Sequence, residues 1–106
     1  MIPQRWQRSR KAGAKQPDSC RYVGLVTMYG NEHKVITGRF LTKYFAHEHA
    51  VNLYRLQMEE NLHNDPAYYD DLLNYEYISC FCPLDMCCHA DAIIEHLKLR
   101  AALKGE

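Results

Sequence analysis

The sequence predicts a single small α/β domain in which a short sheet is covered by helices. The chain has 106 residues, enough for one ordinary domain and too few for two. Short segments rich in β-branched and aromatic residues alternate with longer segments of helical periodicity. The last strand leads through a turn into the last helix, and this strand–turn–helix corner carries a cysteine–histidine motif.

The N-terminal segment, residues 1–21, is predicted to be an irregular basic arm, and residues 22–106 are predicted to form the compact domain. The arm carries a net charge of +5 although the whole chain is neutral. Such asymmetry indicates either a contact with phosphate or a solvated terminus. A neutral chain argues against a protein dedicated to nucleic-acid binding. Basic side chains beside an aromatic ring nevertheless predict a contact with nucleic acid or another anion, at Arg5, Trp6, Arg8, Arg10 and Lys11.

The next segment predicts a strand followed by a long helix. The run RYVGLVTMYG, residues 21–30, is typical of a strand that ends at a glycine turn, and a second short strand is possible at residues 33–36. Helical spacing then covers residues 41–62, with Thr42 or Thr37 as the cap. The apolar positions that define this spacing are Tyr44, Val51, Tyr54, Met58 and Leu62.

The C-terminal half predicts a short helix, a strand and a final helix. Asp65 and Pro66 end the long helix and can begin a short one. The strand over residues 75–82 is apolar on both faces, which predicts a central strand covered on both sides. The final helix is predicted from His89 to Leu103.

Composition indicates an intracellular protein. No stretch of about 18 apolar residues exists to span a membrane, and the basic N-terminus is not followed by the apolar stretch of a secretory signal. Five cysteines cannot all pair internally. In a reducing compartment, clustered cysteines are more often metal ligands or reactive thiols than disulfides.

Four of the five cysteines fall within residues 80–88 and are followed by His89. Cys80 and Cys82 lie two apart on the predicted strand, so their thiols point to the same side, with Cα atoms about 6.6 Å apart. Cys88 and His89 return at the first turn of the last helix, where unpaired N–H groups favour a thiolate over a thiol.

Three interpretations of this motif remain open. Cys80, Cys82, Cys88 and His89 could bind one zinc ion, although C-x-C-x5-C-H is not a common zinc-knuckle spacing. Alternatively, Cys88 is a nucleophile with His89 as its base and Asp91 as the group that orients the histidine. In the third interpretation, the cysteines are small buried side chains of a packed corner. Such an enzyme would also need a group that neutralises phosphate, at Arg21 or Arg39. His33 is an alternative to His89 as the acid–base group.

The run CFCPLD followed by CHADAIIEHL resembles an uncharacterised family of phage and bacterial proteins, the domain of unknown function 4326. The family signature C-x-C-P…P-C-H-[AG]-D leads into a helix, and Cys87 stands where the family typically has proline. The N-terminal half is similar as well, through QRSRKAGAKQP and YVGLVTMYGNEH. The signature falls on Cys80, Cys82, Cys88, His89 and Asp91.

The sequence departs from the family pattern outside the cysteine motif. Leu25 replaces the family arginine and Val26 the following proline, and Tyr29 stands in place of tryptophan. Glu32 and His33 replace a proline and a phenylalanine. If the family arginine holds an anionic ligand, this chain has lost that group but has kept the cysteine–histidine motif.

The resemblance implies a small accessory protein, of phage type, in the host cytoplasm. The preferred hypothesis is a zinc-stabilised binding or inhibitory module that acts on a host or phage factor. One alternative is a thiol-dependent enzyme that acts on a nucleotide or nucleic acid, and the other is nucleic-acid binding through the basic arm. The expected partner is a host or phage protein or nucleic acid, and not a membrane. A non-catalytic role is preferred, and the oligomeric state is not predicted.

Overall fold

The structure, a computed structural model, describes residues 2–24, 27–31, 42–82 and 84–103. These residues form a small compact domain with a three-stranded parallel sheet and two long helices, which confirms the predicted α/β class. The elements in chain order are strand β1 (Gln4–Gln7), strand β2 (Cys20–Tyr22), helix α1 (Lys43–Asn64), a short 3₁₀ helix (Asp70–Asn74), strand β3 (Tyr77–Cys80) and helix α2 (His89–Leu103).

Strand β3 is the centre of the sheet, between β1 and β2. Gln7 pairs with Cys80 and Tyr22 pairs with Ser79, so the carboxyl ends of all three strands lie together. Ile78 and Ser79 point to opposite faces of the sheet, and both are fully buried. The prediction of a central strand covered on both sides is therefore confirmed.

The N-terminal segment differs from the irregular arm that was expected. Residues Gln4–Gln7 form an edge strand, anchored by hydrogen bonds from Gln4 N to Glu76 O and from Arg8 N to Cys80 O. This short strand escaped the sequence analysis because its alternation is hidden by charged and amide side chains. The division of the chain at residue 21 stays a prediction, although both sides of that point contribute a strand to one sheet.

The strand predicted over residues 21–30 is much shorter in the structure. Strand β2 ends at Tyr22, and hydrogen bonds from Thr27 N to Gly24 O and from Gly30 N to Thr27 O close turns in its place. Two of the residues that suggested a longer strand, Val23 and Tyr29, are buried in the core instead of extending the sheet. The possible strand at 33–36 lies outside the described residues.

Helix α2 packs on β1 and β3 of the sheet, and α1 packs on α2, so the two helices form successive layers over the core. Thr42 caps α1 through its side-chain oxygen, which accepts a hydrogen bond from Phe45 N, and α2 has the predicted bounds. On α1, Tyr44 is 46% exposed, contrary to its predicted place on the apolar face. Within the described ranges, neither helix is long and apolar enough to cross a membrane. The largest fully buried side chains are Tyr54, Tyr69, Leu72, Ile78, Ile93 and Leu97.

Candidate metal centre

Three cysteines converge where β3 ends and α2 begins. The Sγ atoms of Cys80, Cys82 and Cys88 all lie within 4.8 Å of one another, and those of Cys80 and Cys88 are 2.8 Å apart. A tetrahedral ion with metal–sulfur bonds of about 2.3 Å holds its sulfur ligands about 3.8 Å apart. The three cysteines could therefore hold a metal ion after small side-chain adjustments. We call these three residues and His89 the cysteine corner.

The start of α2 is fixed by the side chain of Asp91. Its Oδ2 accepts a hydrogen bond from Cys88 N at 3.0 Å, which is one half of a capping box at the helix N-terminus. Asp91 N in turn donates to Cys88 O at 2.9 Å. These bonds determine where the Cys88 backbone lies relative to the end of β3, and they hold its sulfur next to Cys80.

His89 is buried at the edge of the sulfur cluster. Because Val23 O is an acceptor only, the Nε2–H of His89 donates to it, at 2.6 Å. Burial lowers the pKa of His89, an effect that the bond to Val23 partly opposes. The ring is thus neutral, with a lone pair on Nδ1, and this atom lies 3.6 Å from Cys88 Sγ. A metal-binding histidine likewise turns one nitrogen to the metal while the other donates to a carbonyl. The structure brings His89 close to Cys88, but neither ring nitrogen lies within 4.8 Å of all three sulfurs, so the described ligand group consists of the three cysteines.

The side chain of Arg5 connects β1 to the cysteine corner. It is only 9% exposed and donates to Met86 O at 2.8 Å and to Cys82 O at 3.2 Å. It also forms an ion pair with Asp91 Oδ2 at 2.9 Å. Burial lowers the pKa of Arg5, but its electrostatic interactions with Cys88, Asp91 and Cys80 raise it, and the net shift is upward. The guanidinium is therefore a fixed positive charge beside the thiols.

The three thiols share hydrogen bonds and titrate as a group. Hydrogen bonds from Cys82 and Cys88 lower the pKa of Cys80 to about 2. The hydrogen bond with Cys80 raises the pKa of Cys82 to about 11 and also raises that of Cys88. The cluster thus favours one thiolate whose charge is stabilised by two thiol donors and by Arg5. A bound cation would take the place of the two remaining protons.

Cys87 lies outside the sulfur cluster, although it is next to Cys88 in the sequence. It is partly exposed, and its hydrogen bond with the Tyr44 hydroxyl raises the pKa of that tyrosine. Cys20, the remaining cysteine, lies at the start of β2. These two residues are available as matched controls for substitutions within the cluster.

The basic residues predicted as an anion contact fall into two groups. Arg5 is buried at the corner, whereas Arg8 and Arg10 are exposed and lie over aromatic rings of the sheet edge. Trp6 is 36% exposed and packs edge-on against Tyr77. Lys11 is exposed, and its N–H donates to Ser9 Oγ. Sequence reasoning missed the structural role of Arg5 because its partners are backbone carbonyls about 80 residues away.

The residues named for a thiol enzyme make contacts that differ from the roles assigned to them. The carboxylate of Asp91 contacts Cys88 N and Arg5, while the ring nitrogens of His89 face Val23 O and Cys88 Sγ. The guanidinium of Arg21 lies 5.8 Å from the centre of the Tyr29 ring. His33 and Arg39, like the family-divergent Leu25, lie outside the described residues. A catalytic role for Cys88, His89 and Asp91 stays a prediction.

The family model of domain of unknown function 4326 matches residues 6–99. This match covers most of the chain, including β2, α1, the larger part of α2 and the whole cysteine corner. The chain belongs to this family. No curated protein and no solved structure matches the chain significantly.

Proposed function

We propose that the protein is a small binding module whose fold is stabilised by one zinc ion at Cys80, Cys82, Cys88 and His89. The observation that carries the proposal is the convergence of three cysteine sulfurs within 4.8 Å at the junction of β3 and α2. His89 supplies the fourth ligand through Nδ1, because its Nε2 is already committed to Val23 O. As the family resemblance implies, the target is a host or phage factor in the cytoplasm.

The donor set favours zinc over other common ions. Thiolate and imidazole are the usual ligands of structural zinc, whereas calcium and magnesium bind oxygen ligands. Three thiolates and one divalent cation leave a net charge of −1, and the nearby Arg5 guanidinium, which also pairs with Asp91, makes this negative charge less costly. Four protein ligands with no open position are typical of a structural site and not of a catalytic one.

A small domain gains stability from such an ion. Strand β3 and helix α2 are joined by a short connection, and the ion would connect the strand end directly to the helix start. Because the free energy of binding a structural metal adds to the free energy of folding, chelation should lower the melting temperature. A protein that is metal-free as purified and melts at the same temperature with and without chelator would refute the proposal.

The alternative is a thiol-dependent enzyme, in which Cys88, His89 and Asp91 would be the catalytic residues. A nucleophilic thiol needs exposure to substrate and a lowered pKa. Cys88 is 1% exposed, and its hydrogen bond with Cys80 raises its pKa. Both features favour a structural role. A folded Cys88→Ser variant that keeps the wild-type melting temperature would instead support the enzyme.

A further inference from the structure

The carboxyl edge of the sheet carries a second group of residues beside the cysteine corner. Arg8 follows β1 directly, Phe81 follows β3 directly, and Tyr22 is the last residue of β2. Since the three strands are parallel and end in register, these residues are neighbours in space. Open parallel sheets commonly bind ligands outside the carboxyl ends of their strands.

Arginine side chains lie over aromatic rings at this edge. The guanidinium carbon of Arg10 is 4.1 Å from the centre of the Phe81 ring, and that of Arg8 is 4.7 Å from the centre of the Tyr22 ring. The two rings contact each other edge-on at 5.7 Å. We call these four residues the arginine–aromatic cluster. A surface depression beside it is lined by Gln7, Arg8, Ser9, Arg10 and Phe81.

The two arginines of the cluster keep their hydrogen-bonding groups available. Among the described residues, the arginines in ion pairs with carboxylates are Arg5, Arg55 and Arg100, and Arg8 and Arg10 make no such pair. The rings orient the guanidinium planes without neutralising their charge. The N–H edges can therefore donate to an anion, while the outer face of the Arg10 plane can stack on a flat ring.

We propose that the arginine–aromatic cluster binds single-stranded nucleic acid. Arg8 and Arg10 contact backbone phosphates, and an unpaired base stacks on the Arg10 guanidinium, which itself lies over Phe81. Stacking on Arg10 requires a base that is not paired and stacked within a duplex, which is why a single strand is expected. The inference deepens the proposed binding module by naming its partner. It rests on the zinc proposal because Phe81 lies between Cys80 and Cys82 in the sequence, so the position of its ring depends on that site.

The test measures the affinity of the zinc-loaded protein for a fluorescein-labelled oligonucleotide of about 12 nucleotides by anisotropy. The double variant Arg8→Gln/Arg10→Gln should bind about tenfold or more weakly, with a salt slope shallower by about 1.4. Arg10→Lys, which keeps the charge but loses the planar face, should weaken binding with little change in slope. The control Arg55→Gln/Lys98→Gln removes the same charge from exposed helix positions and should change the affinity less than about twofold.

Metal content measured on the same samples separates the two proposals. A zinc-loaded wild type that does not bind the single strand would overturn this inference and leave the zinc proposal intact. Binding by a wild type that contains no metal would support the cluster and refute the zinc site. Duplex DNA that competes as well as the single strand, or a double variant that binds as the wild type does, would also overturn the inference.

Discussion

Arg5 is the residue that most directly joins the N-terminal strand to the cysteine corner. It donates to two carbonyl groups in the turn between β3 and α2 and pairs with the carboxylate that caps α2. Hydrogen bonds from a charged donor are stronger than neutral ones, and their loss leaves acceptors unpaired. The turn that places Cys82 and Cys88 near Cys80 is therefore held partly by a residue from the other end of the chain.

Replacing Arg5 with glutamine should destabilise the protein by about 2–3 kcal/mol, because two part-buried carbonyls lose a charged donor. The ion pair with Asp91 adds little to this figure, since Asp91 is 46% exposed. Urea denaturation of the protein as purified measures the change. Arg10→Gln serves as a control of the same chemistry at an exposed site and should stay within about 0.5 kcal/mol of the wild type. Equal stability of the two variants would contradict the role assigned to Arg5.

At the scale of elements, buried tyrosine hydroxyls connect α1 to its neighbours. The Tyr54 hydroxyl donates to Tyr29 O at 2.8 Å and lies 3.0 Å from the Tyr69 hydroxyl. Asn61 Nδ2 donates to that second hydroxyl at 3.1 Å. Since Tyr29 O accepts only, the bonds run in one direction, from Asn61 through Tyr69 and Tyr54 to Tyr29. This series of hydrogen bonds fixes how α1 packs on the segments that precede and follow it in the sequence.

Tyr54→Phe should lower the stability by about 1–3 kcal/mol, because the ring still fills its place while Tyr29 O and the Tyr69 hydroxyl lose their partner. The measurement is the free energy of unfolding in urea. Tyr44→Phe removes a hydroxyl from an exposed ring of the same helix and should have a much smaller effect. A loss no larger than that of Tyr44→Phe would show that the buried hydrogen bonds do not hold α1.

The elements could be predicted from the sequence where their signal is local. Helix α2 begins at His89 and ends at Leu103 in both the prediction and the structure, because an apolar stripe and a first-turn carboxylate mark it. Strand β1 could not be predicted, since a four-residue strand with one apolar residue among three polar ones has no periodic apolar signal. The strand expected over 21–30 was overestimated because β propensity does not reveal that Val23 and Tyr29 pack into the core.

For the whole molecule, the parallel sheet brings segments that are far apart in the sequence, β1, β2 and β3, to one edge. The four residues of the proposed zinc site are close in sequence, so their residue types could suggest them as ligands, but their spacing left three interpretations open. The Nε2 partner of His89, Val23 O, and the neighbouring Arg5 charge come from distant segments. Their placement depends on strand order, which no local pattern encodes. In the arginine–aromatic cluster, the contact between Arg10 and Phe81 likewise depends on the register of the three strands, and the sequence alone does not reveal it.

Stability should fall in acid partly through His96, which packs against Tyr69 between α2 and the short helix. Burial and the nearby Arg100 charge lower the pKa of His96 in the folded state, with a smaller opposite effect of Asp70. The unfolded state therefore binds a proton first, and stability that is complete above pH 6.5 is lost as the pH falls through the lowered pKa.

The melting temperature of His96→Gln should therefore fall less than that of the wild type when the pH is lowered from about 7 to about 5. Thermal unfolding followed by circular dichroism at each pH provides the comparison, and any acid release of metal is common to both proteins. His49→Gln, at an exposed position of α1, should keep the wild-type profile. Identical profiles for His96→Gln and the wild type would rule out this contribution.

The most direct test of the zinc site is elemental analysis of protein purified without added metal or chelator. The wild type and Cys87→Ser, whose substitution lies outside the sulfur cluster, should each contain about one zinc ion per chain. Cys80→Ser and Cys88→Ser should contain much less and melt at lower temperature. A folded wild type without metal, or a Cys80→Ser variant with the full zinc content, would contradict the account.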